Sequence, residues 1–197
     1  MKLLIKSACV AFVLSVLFSM LPFEADCREI SDEVFRLHIL ANSDSEEDQA
    51  LKLRVRDRVL KRGDELFNSA KTKEEAQKLT ASHLQELADI AADEIADSGY
   101  DYPVRAELTR MYFNTRRYAS YTLPAGTYDA LRLVIGKGEG HNWWCVMYPS
   151  LCVGVASEQD EKARGALTES QYELVTDENT EYRFKLVEIF EKICSLF

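Results

Sequence analysis

The sequence predicts an α+β fold, a mostly antiparallel sheet of about four strands with helices packed on one face. Two long stretches with helical spacing of apolar residues come first. Segments in which apolar and polar residues alternate follow them, and one more helical stretch closes the chain. Together with a short strand ahead of the first helix, these observations predict the order β-α-α-β-β-β-α.

The first predicted strand covers residues 34–40. This stretch is rich in β-branched and aromatic residues, and its alternation turns Phe35, Leu37 and Ile39 toward a core. The same alternation places His38 on the polar face of the sheet.

Two helices are predicted after this strand. Ser45 and Asp48 have the spacing of a capping box, with Asp in place of the usual Glu, and apolar residues then recur at helical spacing to about residue 68. The second helix is predicted over residues 73–98 and ends at Gly99.

The second half of the chain supplies three more strands and a helix. Strands are predicted over residues 104–113, 128–135 and 143–148. In the middle strand the apolar run over residues 131–135, broken only by Arg132, indicates a central place in the sheet. The glycine-rich stretch 136–140 is predicted to be a flexible hairpin loop, and residues 182–193 a helix that packs on the sheet.

The N-terminus has the pattern of an export signal. Two lysines precede an uncharged run over residues 7–23, as in a secretory signal. Pro22 interrupts the end of this run, which is shorter than the roughly 20 apolar residues that span a bilayer. We predict that residues 1–27 are a signal peptide or an N-terminal membrane anchor, and that residues 28–197 form a single extracytoplasmic domain.

The charge distribution argues against nucleic acid as a partner. The net charge is −9 and the isoelectric point is about 5.0, which suits neither phosphate backbones nor anionic lipid surfaces. The charge is uneven: residues 99–156 carry +2, whereas residues 28–98 carry −6 and residues 157–197 carry −5. Since both Trp residues lie in the middle segment, we expect a specialised surface there.

Export also determines how the cysteines are interpreted. An unpaired exposed thiol is unfavourable outside the cytoplasm, so Cys145 and Cys152 are predicted to form a disulfide. A zinc site would need closer Cys spacing and nearby ligands, and none of the three histidines has that spacing. We therefore predict no metal and no cofactor.

Three possible catalytic or phosphate-binding patterns have simpler explanations. The glycine-rich stretch 136–140 is followed by a strand, whereas a phosphate loop needs a helix there. His141 and Cys145 would lie about 13 Å apart on an extended segment, too far for a nucleophile and its base. Asp44 and Asp48 beside His38 are accounted for by helix capping and the helix dipole.

Trp143 and Trp144 are the most informative pair in the middle segment. Adjacent side chains on a strand point to opposite faces, so one indole can join the core while the other is exposed as a binding hot spot. Burial of both indoles under helices is an equally good interpretation of the composition.

Two long stretches resemble a known family. Residues 36–57 read RLHILANSDSEEDQALKLRVRD, and residues 123–132 read LPAGTYDALR, followed by NWWCV at 142–146. Both resemble signatures of the stage II sporulation protein R family. The resemblance spans residues 34–152, and the N-terminal segment agrees with export.

The resemblance implies a signalling role without catalysis. Members of the family are exported from the forespore into the space between forespore and mother cell. There they trigger a membrane-embedded aspartic protease of the mother cell, which cleaves the precursor of sigma factor E. We hypothesise that a disulfide-held surface meets the protease. Its candidate residues are Gly138, Gly140, Asn142, Trp143, Trp144 and Tyr148.

Two other function classes remain open at this stage. An exported hydrolase acting on cell wall would use carboxylates such as Asp44 or Asp48 as acid and base. An extracytoplasmic scaffold would bind another coat or septal protein instead of the protease.

Overall fold

The computed structural model describes residues 2–67, 69–118, 120–151, 156–177 and 179–194. In chain order, the elements are α1 (Lys2–Glu33), β1 (Phe35–Leu40), α2 (Glu46–Phe67), α3 (Lys73–Ser82), α4 (Leu84–Asp97), β2 (Val104–Phe113), β3 (Arg116–Arg117), β4 (Thr122–Leu123), β5 (Gly126–Ile135), β6 (Asn142–Tyr148), α5 (Ala156–Ala166), α6 (Glu169–Thr176) and α7 (Thr180–Cys194). A four-stranded sheet has the order β2-β5-β1-β6, and β3 and β4 form a separate ribbon.

The sheet is mixed. β5 pairs antiparallel with β2, and β6 pairs antiparallel with β1, but β1 and β5 run parallel. The predicted number of strands and the mostly antiparallel character are confirmed, with one parallel pairing that the sequence does not reveal. The predicted central position of the 128–135 strand is also confirmed, because β5 has a neighbour on each side.

Helices cover both faces of the sheet, so the prediction of helices on one face is wrong. Helices α2, α3 and α4 pack on the face that carries Phe35, Leu37 and Ile39 of β1. The opposite face packs against Ile30 of α1, the β3–β4 ribbon and Tyr172 of α6. Five of the six β1 residues are buried, as expected for a strand covered on both sides. His38 is therefore buried as well, against the prediction of a polar face.

The predicted helix over residues 73–98 is two helices. They meet at His83, whose backbone is not helical (φ −113°, ψ 17°). The Ser82 hydroxyl and the His83 ring Nδ1 each lie 2.9 Å from the Leu79 carbonyl oxygen. Such local side-chain bonds compete with the helical backbone ladder and explain the break.

The predicted capping box of α2 is half confirmed. The Ser45 hydroxyl accepts a hydrogen bond from the Asp48 backbone N–H at 3.2 Å. The Asp48 carboxylate, however, does not return to the backbone of Ser45. It accepts hydrogen bonds from Ser43 and Asn42 instead, which fixes the turn between β1 and α2.

The glycine-rich segment after β5 is a crossover and not a hairpin. β1 lies between β5 and β6, so the chain must pass over the end of β1 to reach the sheet edge. Backbone hydrogen bonds tie the crossover to this end: Gly140 N–H donates to Ala41 O at 3.0 Å, and Glu139 N–H to Asn42 O at 3.2 Å.

The termini pack together. Phe23 and Cys27 of α1 form a small cluster with Phe184 and Val187 of α7. Among the described residues, the final helix packs mainly on α1, α6 and the β3–β4 ribbon. The sequence had instead predicted packing on the main sheet. Among helices in the described ranges, none combines the length and apolarity needed to cross a membrane. The export role of residues 1–27 stays a prediction.

Candidate partner-binding site

The candidate site lies on β6 at one edge of the sheet. Among the described strands, β6 pairs with β1 alone, and the register sets Asn142 opposite Leu40 and Trp144 opposite His38. The polar end of β6 therefore lies beside the crossover, while its buried end runs into Pro149.

Trp143 belongs to the face of the sheet that α2, α3 and α4 cover. Its half-buried indole packs against the core beneath α2, and the Arg56 guanidinium lies 4.5 Å from the ring centroid. Its Nε1 is buried and has no hydrogen-bond partner among the described residues. The role of Trp143 is therefore mainly structural, because the core covers one side of its ring and the Arg56 guanidinium covers the other by a cation–π contact.

Trp144 lies on the opposite face, in a cluster with His38 and Phe113. Its ring stacks on the imidazole of His38, with centroids 4.0 Å apart and planes 3° from parallel. Phe113 meets the indole edge-on at 4.7 Å. Trp144 remains half-buried, so part of a rigidly held aromatic surface is open to solvent.

Asn142 orients the stacked imidazole. His38 Nε2 lies 2.6 Å from Asn142 Oδ1. An amide oxygen only accepts, so Nε2 carries the proton and Nδ1 is the bare nitrogen. Burial lowers the pKa of His38, and the Asn142 bond offsets this only in part. The imidazole is consequently neutral near pH 7, and Asn142, His38 and Trp144 form one ordered unit.

Arg36 is the residue of this face that sequence analysis misses. It is fully buried, and its guanidinium carbon lies 4.2 Å from the ring centroid of Phe113 and 4.9 Å from that of Tyr128. Its Nη2 donates to the Tyr118 hydroxyl, and its Nε lies 3.5 Å from the Cys145 carbonyl oxygen. The sequence offers one signal for this role, since Arg36 stands between apolar residues in a predicted strand.

The crossover beside the site is closely packed. Gly136 and Gly138 have positive φ values of 57° and 67°, which favour glycine. At Gly140 a side chain would collide with the backbone, since an added Cβ would lie 2.1 Å from the Ser43 carbonyl oxygen. The amide of Asn42 supports the loop, because its Oδ1 accepts the Lys137 N–H at 3.1 Å. The predicted flexible loop is therefore anchored to the end of β1.

The acidic residues near this loop have structural partners. Burial alone would raise the pKa of Asp48, but hydrogen bonds from Ser43, Asn42 and Tyr102 hold it below its ordinary value. Asp44 accepts hydrogen bonds from the backbone and the ring of His141, and both side chains are exposed. No cluster of three or more potential metal ligands occurs in the part of the chain that the structure describes.

Two of the predicted residues lie away from this end of β6. Tyr148 is buried at the other end of the strand, about 20 Å from Asn142 at 3.3 Å per residue. Cys145 is buried on the face that α2, α3 and α4 cover, while Cys152 lies outside the described residues. The disulfide and a role of Tyr148 in partner binding both stay predictions.

Comparison with known proteins assigns the chain to a family. The model of the family described as stage II sporulation protein R matches residues 31–158. The chain belongs to the stage II sporulation protein R family. Stage II sporulation protein R of Bacillus subtilis (strain 168) is 34% identical to it over 180 residues, covering 81% of this chain and 80% of the relative. No solved structure matches the chain significantly.

The range shared with the stage II sporulation protein R family contains the whole sheet and the crossover. It begins just before β1 and ends within α5, so the Asn142–His38–Trp144 unit and Arg36 lie inside it. The identification from the two long motifs is thereby confirmed, and a role in sporulation follows from the family.

Proposed function

We propose that this protein is an exported intercellular signal of sporulation that activates a membrane-embedded aspartic protease in the mother cell. Activation leads to cleavage of the sigma-E precursor. Membership of the stage II sporulation protein R family carries this proposal. The apolar N-terminal run supports export from the forespore into the space between the two cells, near the membrane.

We further propose that the polar end of β6 is the surface that meets the protease. Trp144 is the anchor, because it is a large aromatic side chain held by stacking on one side and open on the other. Such pre-ordered aromatic groups contribute strongly to binding since little conformational entropy is lost. Asn142 and the crossover glycines Gly138 and Gly140 keep this end of the strand in place. The predicted Cys145–Cys152 disulfide would tie the middle of β6 to the segment that follows the strand.

The residues of this surface support binding better than hydrolysis. A general acid or base must be free to exchange a proton with a substrate within hydrogen-bond distance. The Asp48 carboxylate is occupied by Ser43 and Asn42 at 2.6 and 2.8 Å, and Asp44 is bonded to His141. We therefore assign a binding role to this end of the sheet.

The test is a reconstituted cleavage assay. The full chain, the protease and the sigma-E precursor are co-expressed in a host that does not sporulate, and precursor cleavage is measured against the amount of exported chain. Trp144→Ala is expected to require about 30-fold more chain for half-maximal cleavage, as for a hot-spot aromatic residue. Trp143→Ala is expected to lower the amount of folded chain more than its specific activity.

Tyr182→Ala is the matched control, because Tyr182 is an aromatic residue on α7 with 77% of its surface exposed. It should leave cleavage unchanged. Normal cleavage by folded Trp144→Ala and Trp143→Ala variants would exclude this surface. Absence of cleavage with the unaltered chain would exclude activation of the protease itself.

A further inference from the structure

The buried arginine of β1 has no charged partner among the residues that the structure describes. Arg36 is 0% exposed, and none of the described carboxylates forms an ion pair with it. Its Nη1 is buried and has no hydrogen-bond partner among the described residues. A buried guanidinium is costly unless an anion or a full set of acceptors compensates it, so this position calls for an additional group.

A small cavity adjoins this guanidinium. It has a volume of about 30 Å³, and its lining residues are Arg36, Phe113, Asn114, Arg116 and Trp144. Asn114 and Arg116 are exposed, so the cavity lies at the protein surface with Arg36 beneath it. The cavity admits a group of a few atoms and excludes a nucleotide or a sugar ring.

The lining suits a carboxylate. Two guanidinium groups and one amide supply donors, while none of the lining side chains is acidic. Arginine binds planar carboxylates through two parallel hydrogen bonds, and burial between Phe113 and Trp144 strengthens a charge-assisted bond. Phe113 and Tyr128 already hold the Arg36 guanidinium by cation–π contact, so its orientation is set before a ligand arrives.

We propose that Arg36 and Arg116 form a carboxylate-binding site, filled by an Asp or Glu side chain of the docking protein. The proposal deepens the function given above, on which the identity of the docking protein rests. The site adjoins the Trp144 anchor directly, since Trp144 lines the cavity. An acidic side chain entering beside the indole would add a charge-specific contact to an aromatic one.

The binding test needs no protease. The chain contains two Trp residues, so Trp143→Phe leaves Trp144 as the fluorescent reporter in the cavity wall. Sodium formate is titrated against this full-chain variant at constant ionic strength, with sodium chloride as the reference salt. A saturable, formate-specific change in Trp144 emission is expected. Absence of such a change, or an equal response to chloride, would overturn the proposal.

Substitutions of single arginines test which residues bind the carboxylate. Arg116→Ala, at an exposed position, should weaken formate binding about tenfold, the usual effect of one charged hydrogen bond. Arg36→Met should abolish it, provided that circular dichroism shows a folded chain. Arg117→Ala is the matched control, because Arg117 is a neighbouring exposed arginine that pairs with Glu181 and does not line the cavity. Equal affinities of Arg116→Ala and Arg117→Ala would overturn the site.

The cleavage assay distinguishes a partner side chain from a free carboxylate. Arg116→Ala should reduce cleavage with Arg117→Ala unchanged if the docking protein supplies the carboxylate. Formate binding together with normal cleavage by Arg116→Ala would overturn the partner as its source. If the chain binds formate but does not activate the protease, the proposed function is wrong and the carboxylate-binding site is still supported.

Discussion

Gly140→Ala tests the close approach of the crossover to the end of β1. An added Cβ would lie 2.1 Å from the Ser43 carbonyl oxygen, 2.5 Å from the Ser43 carbonyl carbon and 2.9 Å from the Ala41 Cβ. The obstacle is backbone, which cannot rotate away as a flexible side chain can. The two segments must separate by about 1 Å or more, because non-bonded heavy atoms rest near 3.5 Å.

The separation breaks two backbone hydrogen bonds, from Gly140 N–H to Ala41 O and from Glu139 N–H to Asn42 O. Each contributes about 1 kcal/mol, and the displaced packing costs about 1 kcal/mol more. The expected loss in the free energy of unfolding is about 3 kcal/mol. For a chain of this size it corresponds to a fall in Tm of about 6–12 °C.

Thermal and urea unfolding of the full chain measure this loss. Gly165→Ala is the control of opposite sign, since Gly165 lies in α5 and an added Cβ there meets nothing within 4 Å. It should stabilise the protein by about 0.5 kcal/mol, because alanine favours the helix. If Gly140→Ala stays within about 0.5 kcal/mol of the unaltered chain, the loop is not pressed against β1 as described.

Three further outcomes follow from buried groups. Burial lowers the pKa of His38, so the unfolded state binds a proton at this residue more readily than the folded state does. The free energy of unfolding should therefore fall as pH drops from about 7 through 6.5. His38→Gln should flatten this pH dependence. The Lys73 side chain is 6% exposed, and its Nζ lies 2.9 Å from Asp129 Oδ2. Lys73→Met should lower the free energy of unfolding by about 2 kcal/mol, because the Asp129 carboxylate loses its buried cation and keeps only Gln77 and Arg110 nearby, as measured by urea unfolding. Peptide mapping of the exported chain without reductant should recover Cys145 and Cys152 in one linked species.

Each of these outcomes has a control or a result that would contradict it. An unchanged slope in His38→Gln would contradict the role of its burial. Lys78→Met, at an exposed position in the same helix as Lys73, should change stability by less than about 0.5 kcal/mol. Alkylation of Cys145 in the oxidised, folded chain would contradict the disulfide.

The sequence alone determined the elements whose signals are local. Apolar residues at helical spacing predicted α2, and strict alternation predicted β2, because these patterns depend only on which side of one element meets a core. The apolar run over residues 131–135, broken only by Arg132, indicated a strand with neighbours on both sides. Two long motifs, at residues 36–57 and 123–132, identified the family before any contact was known.

Only the tertiary structure decided which strands are neighbours and what covers them. Alternation does not indicate that β1 lies between β5 and β6, since these pairings join residues 94 to 113 positions apart in the sequence. This one insertion makes the sheet mixed and turns the predicted hairpin into a crossover. It also buries Arg36 and His38 under a second layer of helices, beside Trp144. A polar residue in a strand signals a solvent face only when nothing packs there, and long-range packing determines whether that is so.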